Sequence, residues 1–305
     1  MSASRRTRWC EVSGASYDRV MDGESLDRAA EWLRDAEAVL IAAGAGMGVD
    51  SGLPDFRGTE GFWRAYPPYA RLNVRFEQMA DPVHFHRDPE FAWGFYGHRR
   101  ALYRSTVPHE GFSRILQLID RVGASGFVFT SNVDGQFQRA GFAEAEIVEC
   151  HGAIDHEQCV ARCGRGIWAA DPRRTVQVDP ERMRAVAPLP TCPACGTLAR
   201  PNILMFGDMD WDDGRTAAQW NRFASWLERH AVERMVIIEL GAGTAVPSVR
   251  AMSERLQRQG AGLIRVNPRE PQVPKGAIGI AAGAKATLAA IHARVTGGSP
   301  AASSP

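Results

Sequence analysis

The chain has 305 residues, 45% of them hydrophobic, with 36 basic against 35 acidic side chains. That length and apolar content allow one large domain, or a domain carrying an inserted module, and exclude global disorder. The balance of charge leaves no footprint of nucleic-acid or membrane binding, and no apolar stretch approaches the roughly 20 residues that cross a bilayer.

Residues 1–23 carry several arginines but no apolar h-region, so they read as a flexible start or a targeting segment and not as a secretory signal. The first helix takes Ser25 as its N-cap, and Leu26, Ala29, Ala30 and Leu33 share one face. A strand at 38–43 runs into Gly44, Ala45, Gly46, Met47 and Gly48. Residues 59–109 are rich in aromatics, prolines and arginines and form a small helical insertion, with a helix at 91–104. A helix at 111–121 precedes strands at 126–131 and 146–150. Residues 156–200 hold four paired cysteines and form a separate module. Beyond it, helices at 215–230, 247–259 and 285–295 alternate with strands at 235–241, 263–267 and 277–281. Apolar runs alternating with amphipathic segments predict an α/β fold, a doubly wound Rossmann-like parallel sheet with two insertions. The catalytic domain is expected over 24–296, with a disordered tail at 297–305 and a cleft where the insertions meet the sheet.

Glycines after a strand let the backbone approach a phosphate. Val49 stands where the third glycine of the Rossmann fingerprint falls, so a simple tight turn is the alternative. Asn132 and Asp134 follow a strand and point into the expected crevice, or else form a polar turn that caps the next helix. His151 suits a general base, since an imidazole titrates near pH 6.5; a structural histidine and a metal ligand are the other readings. Cys150 beside it reads as core, because neighbours on a strand point to opposite faces. Cys159, Cys163, Cys192 and Cys195 form one CxxxC and one CxxC pair, 28 residues apart. Four thiolates suit one tetrahedral Zn2+ and leave no open position, so the metal is structural. His156 is a spare ligand, and reduced cysteines without metal are the alternative.

The run from Gly44 through Asp55, Phe56 and Arg57 to Gly58 resembles the NAD-binding loop of sirtuins. Thr130 to Gly135 resembles their second block. His151 and Gly152, the paired cysteines, Arg200 to Asp208, Gly241 to Thr244, and Val266 with Asn267 follow in family order, spanning roughly 24–295. The resemblance implies an NAD-dependent protein-lysine deacylase that acts on acyl-lysine proteins and yields nicotinamide and O-acyl-ADP-ribose; the cytoplasm is the default compartment. It implies cofactor contacts from Gly44, Ala45, Gly46, Asp55, Phe56, Arg57, Ser131, Asn132, Asp134, Gly241, Ala242, Gly243 and Asn267. Among these, Asn132 lies against the ribose, Asp134 holds the carboxamide, Phe56 covers the reacting ribose and Arg57 nears the phosphates. His151 takes a proton from a ribose hydroxyl after the acyl oxygen attacks C1′. Phe206 and Gly207, before an Asp208 that stands in place of the family's Glu, pair with the substrate peptide as an added strand. Tyr96 and Arg99 share a helix face and resemble the Tyr-x-x-Arg pair of desuccinylating sirtuins, so succinyl and malonyl groups are expected substrates. The alternative packs Tyr96 in the core and leaves Arg99 solvated.

Sirtuins usually carry Ser where Gly48 stands, Gln where Ser131 stands, and Gly-Thr-Ser where Gly241, Ala242 and Gly243 stand. Each change removes a hydrogen-bonding side chain near the cofactor. These losses keep a mono-ADP-ribosyltransferase and an NAD hydrolase on the same scaffold as alternatives. A non-catalytic NAD-sensing module is opposed by the retention of His151.

Overall fold

A computed structural model describes residues 21–54 and 58–297. In chain order, α1 (Gly23–Arg34) leads to β1 (Ala38–Ala43) and a 3-10 turn at Ala45–Ser51. Five helices follow: α2 (Gly58–Ala65), α3 (Pro67–Arg71), α4 (Phe76–Met79), α5 (Val83–Arg87) and α6 (Pro89–Ser105). Then come α7 (Glu110–Val122), β2 (Ser125–Thr130), α8 (Gln136–Arg139) and β3 (Ile147–Glu149). The cysteine module runs from β4 (Gly152–Cys159) through β5 (Trp168–Ala169), β6 (Val178–Asp179) and β7 (Arg184–Ala185) to β8 (Ala199–Ile203). The chain closes through α9 (Gly214–Glu228), β9 (Met235–Leu240), α10 (Ser248–Arg258), β10 (Gly262–Val266), β11 (Ile278–Ile280) and α11 (Ala284–Thr296).

The main sheet has six parallel strands in the order β11-β10-β9-β1-β2-β3. Each matches an apolar run in the sequence to within two residues. The runs are continuous because helices cover both faces. In β1, Val39, Ile41 and Ala43 pack with α1, α7 and α11, while Ala38, Leu40 and Ala42 pack with α9 and α10. The strand order reverses between β1 and β9, which opens a crevice at the carboxyl ends of those strands.

Helix α1 starts earlier than Ser25. Its N-cap is Asp22, whose carboxylate accepts from Glu24 N and Ser25 N and also from Ser25 Oγ at 2.7 Å. A carboxylate satisfies two orphan N–H groups at the positive helix end, so it outcompetes the serine.

The two insertions pack on each other. Phe62, Tyr66, Tyr69, Trp93, Phe95 and Tyr96 from the helices share one core with Val176, Met183, Ala185 and Ile203 from the cysteine module. Contact is closest at Gly94, where an added Cβ would lie 1.9 Å from Met183 O. Trp93 Nε1 donates to Ala199 O at 2.9 Å, and the buried Arg100 meets Glu157 at 2.6 Å. No helix among the described residues is long and apolar enough to cross a membrane.

Candidate active site

Two glycine turns interlock at the crevice. Gly44 N donates to Leu240 O at 2.9 Å, and Gly46 N donates to Gly241 O at 3.0 Å. A Cβ on Gly44 would lie 2.8 Å from Ala242 Cα. Gly241 has φ +59°, and a Cβ there would lie 2.4 Å from Gly46 Cα, so both conformation and space demand glycine. Further backbone-directed bonds hold the second turn. Asn267 Nδ2 and Arg250 Nε both donate to Ala242 O, at 2.9 and 3.1 Å. Beside Gly243, Thr244 gives its N–H and hydroxyl to Glu270. Ala45 opens the 3-10 turn. The departure at Gly48 has a packing reason: a Cβ would lie 3.0 Å from Leu53 Cδ1.

The end of β2 brings its polar residues against the first turn. Thr130 Oγ1 donates to Ala43 O and accepts from Asn132 N, which lets Asn132 Nδ2 reach Gly44 O at 3.0 Å. Ser131 N donates to Ala43 O at 3.1 Å. Asp134 is buried, and its Oδ1 accepts from Gln136 N at 2.9 Å. Burial pushes the Asp134 carboxyl up from its ordinary value, while the Gln136 N–H and the charges of Arg139 and Arg99 pull it down. The Asn132 amide thus ties β2 to the first glycine turn, and the Asp134 carboxylate is held by its own loop.

His151 follows β3 in a turn, and its Nε2 lies 3.2 Å from Ser248 Oγ. Burial lowers its pKa and a backbone hydrogen bond with Ser131 acts the other way, so the ring is poised as a neutral acceptor. Cys150 departs from the expectation of a strand residue facing away. The strand stops at Glu149, alternation ends with it, and Cys150 and His151 border the same cavity of about 400 Å3. Burial pushes the Cys150 thiol up to about 12, which leaves it a protonated thiol and a poor nucleophile.

Tyr96 and Arg99 are both buried on α6. The Arg99 guanidinium bonds Tyr103 Oη through Nε at 3.0 Å and Nη2 at 2.5 Å, and lies over the Phe95 and Tyr103 rings. Tyr96 stacks on Phe85, and its buried hydroxyl has no hydrogen-bond partner among the described residues. The Arg99 charge also favours the ionised form of Asp134. Phe206 is half exposed, edge-on to Phe76, and its N–H donates to Ala80 O. Gly207 has φ +66°. The segment is closed beneath by a buried ion pair between Arg200 and Asp208, with Asp208 also accepting from Met205 N.

The four cysteines converge as their spacing predicts. All four Sγ atoms lie within 4.8 Å of one another, with Cys159 to Cys195 and Cys163 to Cys192 each at 3.6 Å. Tetrahedral Zn–S bonds of about 2.3 Å separate sulfurs by about 3.8 Å, so the residues fit one structural zinc. His156 lies outside this group, and its Nδ1 is buried without a partner.

Asp55, Phe56 and Arg57 lie outside the described residues. Sequence reasoning missed Thr130, Tyr103, Arg250, Glu270 and Ser248. Tyr103 carried a signal in its i+4 spacing from Arg99, and Thr130 in its place two residues before Asn132; Arg250, Glu270 and Ser248 meet their partners only through the fold.

Residues 44–235 match the model of the Sir2 family. A Thermus thermophilus protein named NAD-dependent protein deacylase is 30% identical over 265 residues, covering 86% of this chain and 91% of that protein. NAD-dependent protein deacylase 1 of Pseudomonas aeruginosa is 32% identical over 241 residues, covering 78% and 86%. Among solved structures, a complex of a Sir2 homologue with NAD is 24% identical and covers 89% of this chain and 94% of its own, with a TM-score of 0.67. That last likeness is one of fold.

Proposed function

We propose, from the premise that this chain belongs to the Sir2 family, that it is an NAD-dependent protein-lysine deacylase whose catalytic domain spans 24–296 with insertions at 59–109 and 156–200. What supports the reading is the interlocking of both glycine turns and the Asn132 bond to Gly44 O at the carboxyl ends of parallel strands, with His151 just after β3. NAD supplies an anomeric carbon joined to a cationic leaving group. Ala45 and Gly46, with Gly241, Ala242, Gly243 and Asn267, hold the cofactor along the interlocked turns. Asn132 and Ser131 orient the ribose, and the Asp134 carboxylate receives the carboxamide N–H. His151 takes the proton of a ribose hydroxyl at Nε2; its neutral state, enforced by burial, is the form that can accept it.

The substrate is an acyl-lysine segment laid beside Phe206 and Gly207 as an added strand, with nicotinamide and O-acyl-ADP-ribose as products. Tyr96 and Arg99 favour an acidic acyl group. The buried Tyr96 hydroxyl lacks an acceptor and lies within the influence of the Arg99 charge, and a succinyl or malonyl carboxylate would supply that acceptor. The cysteine module holds one structural zinc.

Incubation with NAD and a panel of acetyl-, malonyl- and succinyl-lysine peptides, read by mass spectrometry, tests the reading. O-acyl-ADP-ribose supports it, whereas ADP-ribosylated protein or free ADP-ribose alone replaces it with transfer or hydrolysis. His151→Ala should lose about 10²–10⁴-fold in deacylation with NAD binding retained. Arg99→Met should lose succinyl turnover selectively; equal losses for acetyl and succinyl peptides would remove the acidic pocket.

A further inference from the structure

His151 Nε2 has a partner from 97 positions away in the chain, the hydroxyl of Ser248 at 3.2 Å. Ser248 opens α10, an 11-residue helix whose N-cap, Pro247, offers no side-chain cap. The unsatisfied N–H groups and the positive end of the helix dipole therefore lie beside the imidazole, where a second positive charge is disfavoured. Apolar walls from Phe129, Leu204, Trp220 and Met252 complete the cavity around the ring. Two titratable groups share it: Cys150 on the same turn, held as a neutral thiol, and Arg255 of α10 at the rim, exposed and cationic. Neither offers the ring a negative charge. The backbone bond with Ser131 favours the protonated ring, so there the imidazole donates.

A ring that donates on one side and meets a hydroxyl on the other has its tautomer decided. We propose that Ser248 is a positioning residue for His151: its hydroxyl donates to Nε2 and, opposite the Ser131 contact, holds the neutral ring in place before NAD binds. The assignment rests on the reading of His151 as the base. When the ribose hydroxyl arrives it replaces Ser248 at Nε2. Its proton passes to that nitrogen, the O–H bond breaks with its electron pair left on oxygen, and the Ser131 backbone keeps the imidazolium in place. Without Ser248 the Ser131 side still favours Nδ1–H, but the neutral ring loses its hydrogen bond at Nε2 and with it the anchor on that side.

The test uses the full chain with ¹⁵N-labelled histidine, the His151 signals being assigned by their loss in His151→Gln. Wild type should show an unprotonated Nε2 and a protonated Nδ1 at pH 7.5. Ser248→Ala should raise the His151 pKa by roughly 0.5–1 unit, the effect of losing one ordinary hydrogen bond to the neutral form. In deacylation, the acidic limb of the kcat profile should move up by the same amount. At pH 7 kcat should fall by up to about threefold, in line with that shift, and KM for NAD should hold. Ser248→Thr should restore all three. An unchanged His151 pKa in Ser248→Ala overturns the proposal. A shifted pKa in a protein that deacylates nothing supports the positioning and removes only the deacylase reading.

Discussion

In the central sheet, burial is carried by aliphatic side chains on two faces, and its strands pair in register from β3 to β11. The joined insertions are built otherwise: stacked and edge-on aromatic rings, buried arginines tied to carboxylates, short strands and four converging thiols. A sheet of this kind tolerates small errors because its contacts are many and non-directional. The insertions depend on directed contacts, each of which leaves a buried polar group behind when lost. The proposed cleft lies between the two, with its cofactor turns on the rigid side and its peptide and acyl contacts on the other.

Breaking the directed side at its metal should have the largest effect. Cys192→Ser should release zinc, unfold the cysteine module and abolish peptide binding while the sheet keeps its far-UV signal. Apparent zinc binding in finger peptides amounts to about 10–16 kcal/mol at pH 7, beyond the margin of most domains. Metal analysis of wild type that finds no zinc would defeat this. On the aliphatic side, Glu239→Ala leaves Arg265 without its bidentate partner in the middle of the sheet. Both side chains are almost fully buried, but Arg265 keeps Glu254 and Gln272 O, so about 1–3 kcal/mol should be lost, read by calorimetry as one cooperative fall in Tm. Gly94→Ala pushes a methyl into Met183 O and should cost about 1–3 kcal/mol. Hydrogen exchange should place that loss in the insertions and spare the sheet; uniform loss would mean the two regions are not separable.

Acid sharpens the contrast. His156 is pushed down to about 4, mainly by burial and then by the Arg215 charge, so it is neutral when folded. The unfolded chain binds its proton below about 6.5, hence the stabilisation is intact above that pH and is lost as pH falls from 6.5 towards 4. The module should melt earlier at pH 5 than at pH 7, and His156→Asn should flatten that slope. The smallest effect belongs to Gly48→Ser, where Leu53 need only move off its rotamer, at about 0.5–1.5 kcal/mol by denaturant titration.

The same contrast decides what a reader of the sequence can see. The six strands are legible because each is an unbroken aliphatic run, and the zinc cluster because each pair is local. Asp22 escapes notice because a cap is chosen by competition among neighbouring acceptors, not by residue type alone. The union of the insertions is invisible, since Gly94 and Met183 are 89 positions apart and no period links them. Tyr103 bonds Arg99 from the i+4 position, which the i+3 spacing of Tyr96 and Arg99 does not point to. Ser248 had no local signal at all.

The backbone at the base has one more consequence. Gly152, at φ +77°, brings β4 so close to β8 that a Cβ would lie 2.1 Å from Asn202 O, and this approach lets Leu204 N donate to His151 O at 3.0 Å. The proposed base and the proposed peptide rail are thereby two ends of one ladder. Selection for a new peptide sequence cannot move the rail without also moving the histidine. A change of partner is therefore met by side chains that project off the rail, such as the exposed Phe206 and Met209.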